Sequence, residues 1–289
     1  MQKFILSTES TCDLRQEYCE QQGVRVIKME YFVNGEPFGG DTDKDMTDKE
    51  FYDKMREGAK TSTSMINEVR AEEFFRTLMK EDKDILHVAF ASACSGTYAC
   101  MKSVADRLNK EYNHKIYVVD SKAESTGEGL IVDLAIAERD SGKEAEEVVS
   151  ILQDKLTRVN LLFTVDNLKY LAAGGRVSKT SAIIGNIAKI KPLLYVDDTG
   201  KLTVGSKTLG RKNSLTKLAN MSAEKFNGEC DRIYVSHADC EEDADFVIQK
   251  IKNRVPSAEI IKEKIGYVIG SHSGPGTLAI FFMGHDRKF

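Results

Sequence analysis

The chain has 289 residues, a formal net charge of -4, 41% apolar residues and 30% charged residues. This composition is ordinary for a globular protein, and it excludes both a disordered chain and a nucleic-acid binder that works by bulk positive charge. At about 150 residues per domain, the length predicts roughly two domains and leaves enough chain to enclose a ligand.

Short apolar runs alternate with helical patterns through the first half of the sequence. The predicted strands cover residues 4–6, 24–33, 85–90 and 116–119, with a turn at Asn34-Gly35. The predicted amphipathic helices cover residues 95–112, 127–139 and 144–158. Apolar strands that alternate with helices are typical of a mostly parallel sheet covered by helices, so the first half is predicted to be a Rossmann-like α/β domain.

The pattern changes in the second half. Residues 191–196 and 201–204 flank an Asp/Gly turn at residues 197–200 and predict a β-hairpin. The remaining predicted elements are helices at 212–226 and 241–254 and strands at 232–236 and 277–283. We therefore predict an α/β domain at residues 1–156, an α+β domain at residues 157–289 and a boundary near residue 157.

The start of the chain and the cysteines predict where the protein works. Only three consecutive apolar residues follow Lys3, whereas a signal peptide needs about 7–15. The longest later apolar run, at residues 278–283, is too short to span a bilayer. None of the six cysteines forms a C-x-x-C pair. The sequence thus predicts a cytoplasmic protein with reduced thiols, no metal site and no cofactor.

Small polar residues follow three of the predicted strands, at residues 7–11, 91–97 and 120–127. Such hydroxyls often cap helices, which is one interpretation of each cluster. In an open parallel sheet, however, ligands bind beyond the carboxyl ends of the strands, and three clusters at one edge favour a polar ligand site. Ser95-Gly96 combines a hydroxyl with the free N–H groups of a predicted helix start, which suits an anion.

Two other segments draw attention by their composition. Residues 270–276 surround His272 with glycines and one proline, which predicts a rigid loop in which the histidine is either structural or functional. Residues 60–64 add further hydroxyls between two helical patterns and are predicted to be a loop.

Three enzyme motifs fail on their spacing or context. Residues 205–212 resemble a phosphate-binding loop, but they have Arg211-Lys212 where Lys-Ser/Thr is required. Ser95 lacks the two glycines of a hydrolase nucleophile elbow. Cys94 follows apolar residues, which predicts a small buried side chain rather than a nucleophile.

Seven short motifs occur in order along the sequence. They are Ser10-Thr11-Cys12-Asp13-Leu14, Thr63-Ser64-Met65-Ile66-Asn67, Ser95-Gly96-Thr97-Tyr98, Asp120-Ser121, Asp166-Asn167-Leu168 ahead of Gly174-Gly175-Arg176, Lys191-Pro192 and Gly270-Ser271-His272-Ser273-Gly274-Pro275-Gly276. Each is weak alone, but together they resemble the DegV family over essentially the whole chain. Members of that family include the fatty-acid-binding subunits of bacterial fatty acid kinase.

The resemblance implies a two-domain α/β fold with one long-chain fatty acid in a tunnel between the domains. It implies that Thr63, Ser95 and the backbone at Gly96 hold the carboxylate, that His272 joins this network, and that Arg176 lies near the opening. It further implies a non-catalytic subunit that presents the acid to a partner fatty acid kinase, which makes an acyl-phosphate for phospholipid synthesis. Transient contact with a membrane is compatible with that role.

Two positions leave alternatives open. Glu9 stands where the family usually has an aspartate, so its role is undecided. Residues 60–64 contain two Thr-Ser pairs, of which Thr63 fits the family's following residues better and Thr61 is the alternative.

Two other classes of function are alternatives. One is an enzyme, either an acyl hydrolase that uses Ser95 with His272 or a phosphotransferase that uses the glycine-containing segment at 205–212. The other is a regulatory module whose bound lipid is a signal.

Overall fold

The computed structural model describes residues 2–42, 44, 46–177 and 190–289. The strands within these residues are β1 (Phe4–Glu9), β2 (Val24–Ile27), β3 (Glu30–Val33), β4 (Glu36–Gly39), β5 (Thr61–Thr63), β6 (Asp84–Ala89), β7 (Ile116–Asp120), β8 (Val159–Thr164), β9 (Ile190–Val196), β10 (Leu202–Leu209), β11 (Arg232–His237), β12 (Glu259–Lys264) and β13 (Leu278–Met283).

The helices within the same residues are α1 (Gln16–Gln21), α2 (Asp48–Arg56), α3 (Glu68–Met79), α4 (Thr97–Leu108), α5 (Thr126–Asp140), α6 (Ala145–Lys155), α7 (Lys169–Ala173), α8 (Arg211–Lys225), α9 (Glu241–Lys252) and α10 (Tyr267–Ser273). Short 3-10 helices cover Ser10–Cys12 and Leu156–Arg158. None of the helices in the described part of the chain is long and apolar enough to cross a membrane.

The first half forms a four-stranded parallel sheet in the order β2-β1-β6-β7. The central strand β1 is buried at every position, and Leu6 lies opposite Leu86 of β6. Continuous apolar runs of this kind are what a sheet covered on both faces requires. The predicted parallel α/β arrangement of the first half is therefore confirmed.

The second half forms a six-stranded sheet in the order β10-β9-β8-β13-β11-β12. All its pairings are antiparallel except that of β11 with β12. Strands β8 and β13 lie in its middle and are buried throughout. The predicted hairpin at 191–204 is present as β9 and β10, and β10 continues to Leu209.

Helix α5 lies between the two large sheets, because it contacts β1 and β6 on one side and β8 and β13 on the other. One apolar cluster accordingly joins Leu86, Leu130, Leu161 and Phe281 into a shared core. A helix that is buried on nearly all sides is typical of the centre of a protein. The boundary near residue 157 stays a prediction, since the apolar core is continuous across it.

A third, antiparallel sheet has the order β4-β3-β5. Its strand β3 carries Tyr31, whose ring packs 4.8 Å from that of Tyr267 on α10 and 5.5 Å from that of Phe51 on α2. Aromatic pairs at such distances add stabilisation beyond their buried area. This aromatic group holds the small sheet against α10.

Several predictions about individual elements are wrong. Residues 61–63 were predicted to be a loop, but they form β5, because they pair with β3 from 30 residues earlier in the chain. Residues 270–276 were predicted to be a rigid glycine loop, but His272 lies on the last turn of α10. The sequence analysis also missed β12, and the helix predicted from Ser95 begins at Thr97 and ends at Leu108.

Candidate functional site

A cavity of about 600 Å³ lies where β5, α10, the start of α4 and the segment after α7 converge. Its wall is mostly apolar and includes Phe90, Leu161, Phe163, Ile269 and Phe281. Pockets for small molecules commonly have volumes of about 300–1,000 Å³ and an apolar lining with a few polar groups. The cavity has the size and composition of such a pocket.

The five residues that the sequence predicted for a ligand site all line this one cavity. They are Thr63, Ser95, Gly96, Arg176 and His272. They come from distant parts of the chain, and the fold brings all of them together. The structure thus gives one location to the predicted site residues, while their individual roles stay predictions.

Strand β5 directs Thr63 toward α10. Alternate residues of a strand point to the same side, so Thr61 and Thr63 face α10 together while Ser62 is exposed. The Thr63 Oγ1 atom lies 2.8 Å from Nε2 of His272, whereas the Thr61 hydroxyl donates to the Ser271 carbonyl at 2.9 Å. Of the two threonines, only Thr63 lines the cavity.

The His272 ring lies in a crowded part of the wall. A Cβ atom at Gly174 would come 2.3 Å from Nδ1 of His272, so the ring occupies the space that a side chain at residue 174 would fill. Burial, together with the positive charge of Arg176, lowers the pKa of His272 to about 4. The imidazole is therefore neutral at neutral pH.

Ser95 and Gly96 precede α4 at the cavity. The Ser95 Oγ atom accepts the N–H of Thr97 at 3.1 Å and shares a hydrogen bond with the Thr97 hydroxyl at 2.9 Å. Gly96 is the N-cap residue of α4, a helix of 12 residues. The first turn of a helix carries partial positive charge, so this end of the cavity suits an anionic group.

Arg176 is half-buried and lines the cavity beside Cys94. Its Nε and Nη2 atoms donate to the Cys94 carbonyl at 3.2 and 3.0 Å, and Nη1 donates to the Gly174 carbonyl at 2.6 Å. No carboxylate among the described residues forms an ion pair with this guanidinium. Its charge is therefore available to a ligand.

The cavity wall also contains polar residues that were not predicted as ligand residues, among them Glu124 and Cys94. The Cys94 thiol donates to Oε1 of Glu124 at 3.3 Å. Burial raises the pKa of Glu124 to about 8, and burial beside Glu124 raises the pKa of the Cys94 thiol. A thiol with a raised pKa is a poor nucleophile, as the sequence predicted, but the Cys94 side chain is half-buried rather than buried. Glu124 follows β7 and belongs to the third hydroxyl cluster, and this position was the feature of the sequence that could have indicated a place at the ligand site.

The first hydroxyl cluster belongs to a network of buried polar side chains. Thr8 and Thr11 donate to the two oxygens of Glu128 at 2.8 and 2.9 Å rather than capping a helix. Burial and the neighbouring Glu9 raise the pKa of Glu128. Only Thr11 of this network lines the cavity.

Glu9, whose role the sequence left undecided, is fully buried and does not line the cavity. Its Oε1 atom lies 3.5 Å from Nε2 of His87, and the other ring nitrogen of His87 lies 3.0 Å from the Ser7 hydroxyl. The order of these groups resembles a Ser-His-acid triad. All three are inaccessible and none lines the cavity, so they do not form a site for a ligand there.

Ser95 and His272 do not form a nucleophile–base pair. No hydrogen bond joins them, because Ser95 Oγ bonds Thr97 and His272 Nε2 bonds Thr63. In the described parts of the chain, no group of three or more His, Cys, Asp or Glu side chains could hold a metal ion.

The parallel sheet with covering helices, the second, mostly antiparallel sheet and the mostly apolar pocket define the class as an α/β protein with two large sheets, one small sheet and a ligand-sized cavity. A family profile described as "Uncharacterised protein, DegV family COG1307" matches residues 3–285. The chain belongs to the DegV family.

Known relatives match along the whole chain. A DegV domain-containing protein of Clostridium perfringens is 36% identical over 290 residues, which cover 100% of both chains. A solved structure described as fatty acid binding of a DegV family protein from Thermus thermophilus has a TM-score of 0.86 and 26% identity. It covers 98% of this chain and 100% of that chain.

A second solved structure, a DegV lipid binding protein from Thermotoga maritima, has a TM-score of 0.83 and 26% identity. It covers 99% of this chain and 100% of that chain. These similarities establish the α/β fold with its second, mostly antiparallel sheet as the DegV fold.

Proposed function

We propose that this protein binds one long-chain fatty acid, with the carboxylate at Thr63, Ser95, Gly96 and His272 and the acyl chain along the apolar wall. The observation that carries the proposal is the Thr63–His272 hydrogen bond in the wall of a mostly apolar cavity of about 600 Å³. The Thermus thermophilus and Thermotoga maritima structures, described as fatty acid binding and lipid binding, support it.

The head group needs hydrogen-bond donors. Since His272 is neutral at pH 7, we infer that its Nε2–H donates to Thr63 Oγ1, which leaves the Thr63 hydroxyl proton free to donate to the carboxylate. The Ser95 hydroxyl supplies a second donor, and Arg176 adds attraction without a direct contact. Hydrogen bonds to a charged group contribute about 1.5–3 kcal/mol each.

The acyl chain supplies most of the affinity. Each methylene group that leaves water contributes about 0.8 kcal/mol, so a long chain offers on the order of 10 kcal/mol before ordering costs. Side chains such as Leu161, Phe163 and Phe281 form the apolar surface for it. The proposal therefore predicts a ligand selected first by its apolar length and second by its carboxylate.

The binding experiment uses the ligand that copurifies with the chain. Protein purified from bacteria is extracted with organic solvent, and the extract is measured by mass spectrometry. We expect about one fatty acid per chain, and we expect the double variant Thr63→Ala/Ser95→Ala to retain much less because two donors are lost.

Ser62→Ala is the matched control, since Ser62 lies on the same strand but is exposed on its other side. Well-folded protein without any lipid would count against the proposal. An unchanged acid content in the double variant would contradict the assigned head-group site.

We further propose that the protein acts in the cytoplasm as a non-catalytic carrier that presents the carboxylate to a partner fatty acid kinase. Support comes from the family resemblance and from the separate hydrogen-bond partners of Ser95 and His272, which leave no activated nucleophile at this pair. The test incubates the loaded chain with ATP and traps acyl-phosphate with hydroxylamine. Hydroxamate should form only when the catalytic subunit of a bacterial fatty acid kinase is added; its formation by the isolated chain would contradict the carrier role.

A further inference from the structure

One face of α10 forms a side of the cavity. Ile265, just before the helix, and Val268, Ile269 and His272 on it all line the cavity, at the spacing of residues that share a helix face. The rise of about 1.5 Å per residue places Gly266, at the start of α10, about 9 Å from His272 along the helix axis. The proposed acyl chain, whose carboxylate binds at His272, can therefore lie along this face.

Contacts with neighbouring elements fix the start of α10. The helix has only seven residues, so its position depends on tertiary packing. The Tyr52 hydroxyl donates to the Ile265 carbonyl at 2.7 Å, and the backbone N–H of Gly266 is a hydrogen-bond partner of the Asp13 carboxylate. A Cβ atom at Gly266 would come 2.5 Å from Oδ1 of Asp13, so the carboxylate packs directly against the start of the helix.

The same carboxylate binds the start of α5. The Ser125 hydroxyl donates to Oδ2 of Asp13 at 2.5 Å, and Ser125 is the N-cap residue of α5 and lines the cavity. Both residues have positive φ, 50° at Asp13 and 52° at Ser125. Such conformations are strained for residues other than glycine, persist only where the surrounding contacts fix them, and concentrate at functional sites.

Asp13 thus lies where three segments of the cavity wall meet. Thr11, two residues before it, Ser125, which is bonded to it, and Ile265, next to its partner Gly266, all line the cavity. They belong to the 3-10 helix at Ser10–Cys12, to the start of α5 and to the segment before α10. Asp13 is not part of the cavity lining, so it acts on a ligand only through these neighbours.

We propose that Asp13 is a positioning residue of the fatty-acid site: it ties the start of α10 to the start of α5 and so keeps the α10 wall, with His272, in its binding position. This inference rests on the proposed fatty-acid site and names the contact that fixes its shape. Without the contact, α10 would move away from α5, widen the cavity near Ile265 and expose the His272 ring. A shift of about 1 Å is enough to loosen a binding site.

Two substitutions of Asp13 test the proposal on the full chain. Asp13→Gly removes the carboxyl group without adding strain, since glycine adopts a φ of 50° readily. Asp13→Asn is nearly isosteric and keeps the bridge, because its amide oxygen can accept the Gly266 N–H while its NH₂ group donates to the Ser125 hydroxyl. We expect the dissociation constant of stearic acid, measured by calorimetry, to rise about tenfold in Asp13→Gly and to stay close to wild type in Asp13→Asn.

The matched control is Asp133→Asn. Asp133 is a buried carboxyl group farther along α5 that accepts the hydroxyls of Tyr18 and Tyr234 at 2.6 Å each and lies outside the cavity lining. Its substitution should lower stability, because it disturbs a buried hydrogen-bond network, and should leave the affinity for stearic acid unchanged.

The second readout is the titration of the His272 ring, followed by NMR in the ligand-free protein. Burial and the charge of Arg176 lower the pKa of His272 to about 4, so exposure of the ring in Asp13→Gly should raise that pKa. Ser125→Ala removes one of the two hydrogen bonds of the bridge and should change affinity and titration in the same direction, so it gives the result if Asp13→Gly does not fold. In Asp133→Asn the titration should stay as in the wild type.

Wild-type affinity or an unchanged His272 titration in Asp13→Gly, or in Ser125→Ala if only that variant folds, would overturn the inference while leaving the fatty-acid site in place. An equal loss of affinity in Asp133→Asn would overturn it as well, because lower stability alone would then explain the effect. If the wild type binds no fatty acid, the proposed function itself fails and the inference falls with it.

Discussion

The imidazole of His272 lies against a backbone position that has no side chain. A Cβ atom at Gly174 would come 2.3 Å from Nδ1 of the ring, so Gly174→Ala must push the ring or the segment after α7 aside. Overpacking of this kind costs about 1–3 kcal/mol. Because the ring bonds Thr63, we expect fatty-acid affinity to fall about tenfold in a calorimetric titration.

Ala173→Ser is the neighbouring control for that prediction, since residue 173 is exposed and outside the cavity lining. The control should bind like the wild type. Wild-type affinity in Gly174→Ala would mean that the position of the His272 ring is not needed for binding.

The raised pKa of Glu124 predicts that the stability of the protein depends on pH. Its pKa is raised from 4.5 to about 8 in the folded state, mainly by burial. The folded protein therefore holds this proton at pH values where the unfolded chain has released it, and stability falls as pH rises through that window. The difference corresponds to a few kcal/mol, because one unit of pKa is worth about 1.4 kcal/mol.

Chemical denaturation from pH 5 to 9 measures this effect. Asp13, with a pKa raised to about 7, contributes a slope in the same direction, so the difference between wild type and Glu124→Gln isolates Glu124. We expect the free energy of unfolding of Glu124→Gln to fall less steeply with pH. Parallel curves for the two proteins would show that Glu124 is ionised in the folded state.

At the level of elements, strand β5 shows why part of the site was hidden in the sequence. Three residues rich in hydroxyl groups have the composition of a loop, and only their pairing with β3 makes them a strand. That pairing points Thr63 at His272 and leaves Ser62 exposed. Thr63 and His272 could be selected as site residues from the sequence, but the hydrogen bond between them depends on contacts between distant segments.

The first-half parallel sheet was predictable because its strands are continuous apolar runs separated by helical patterns. Strand β12 was not predictable, since apolar and polar residues do not alternate regularly in its sequence Glu-Ile-Ile-Lys-Glu-Lys and it lies at the edge of the sheet. Glu124 was likewise missed as a residue of the cavity wall, because its place in the third hydroxyl cluster does not indicate that its carboxyl group is buried.

A substitution in helix α5 can test whether this helix is packed tightly between the two large sheets. A Cβ atom at Gly127 would come 2.8 Å from Leu161 Cδ2 and 2.8 Å from Phe281 Cδ1, both in the cavity wall. In a solvent-exposed helix, Gly→Ala stabilises by about 1 kcal/mol. Here we expect Gly127→Ala to destabilise the protein by about 1–3 kcal/mol instead, measured by urea unfolding.

Ser103→Ala on the exposed face of α4 is the control for intrinsic helix propensity. It should be neutral or slightly stabilising. Stabilisation by Gly127→Ala would show that α5 is not packed tightly between the two large sheets.

At the scale of the whole molecule, the cavity is assembled from both halves of the chain. Thr63 and Ser95 come from the first half, and Arg176 and His272 come from the second. The apolar core is also continuous from one large sheet to the other through α5. The net charge of -4 suits a ligand that is held mainly by its apolar chain, since no strong positive field is needed.

Calorimetric titration of the delipidated chain with stearic acid, palmitic acid and octadecanol tests the central claim most directly. We predict saturable binding of one stearic acid per chain, about tenfold weaker binding of palmitic acid because two methylene groups are lost, and weaker binding of octadecanol because it has no carboxylate. The absence of saturable binding, or equal affinity for stearic acid and octadecanol, would contradict the proposed fatty-acid site.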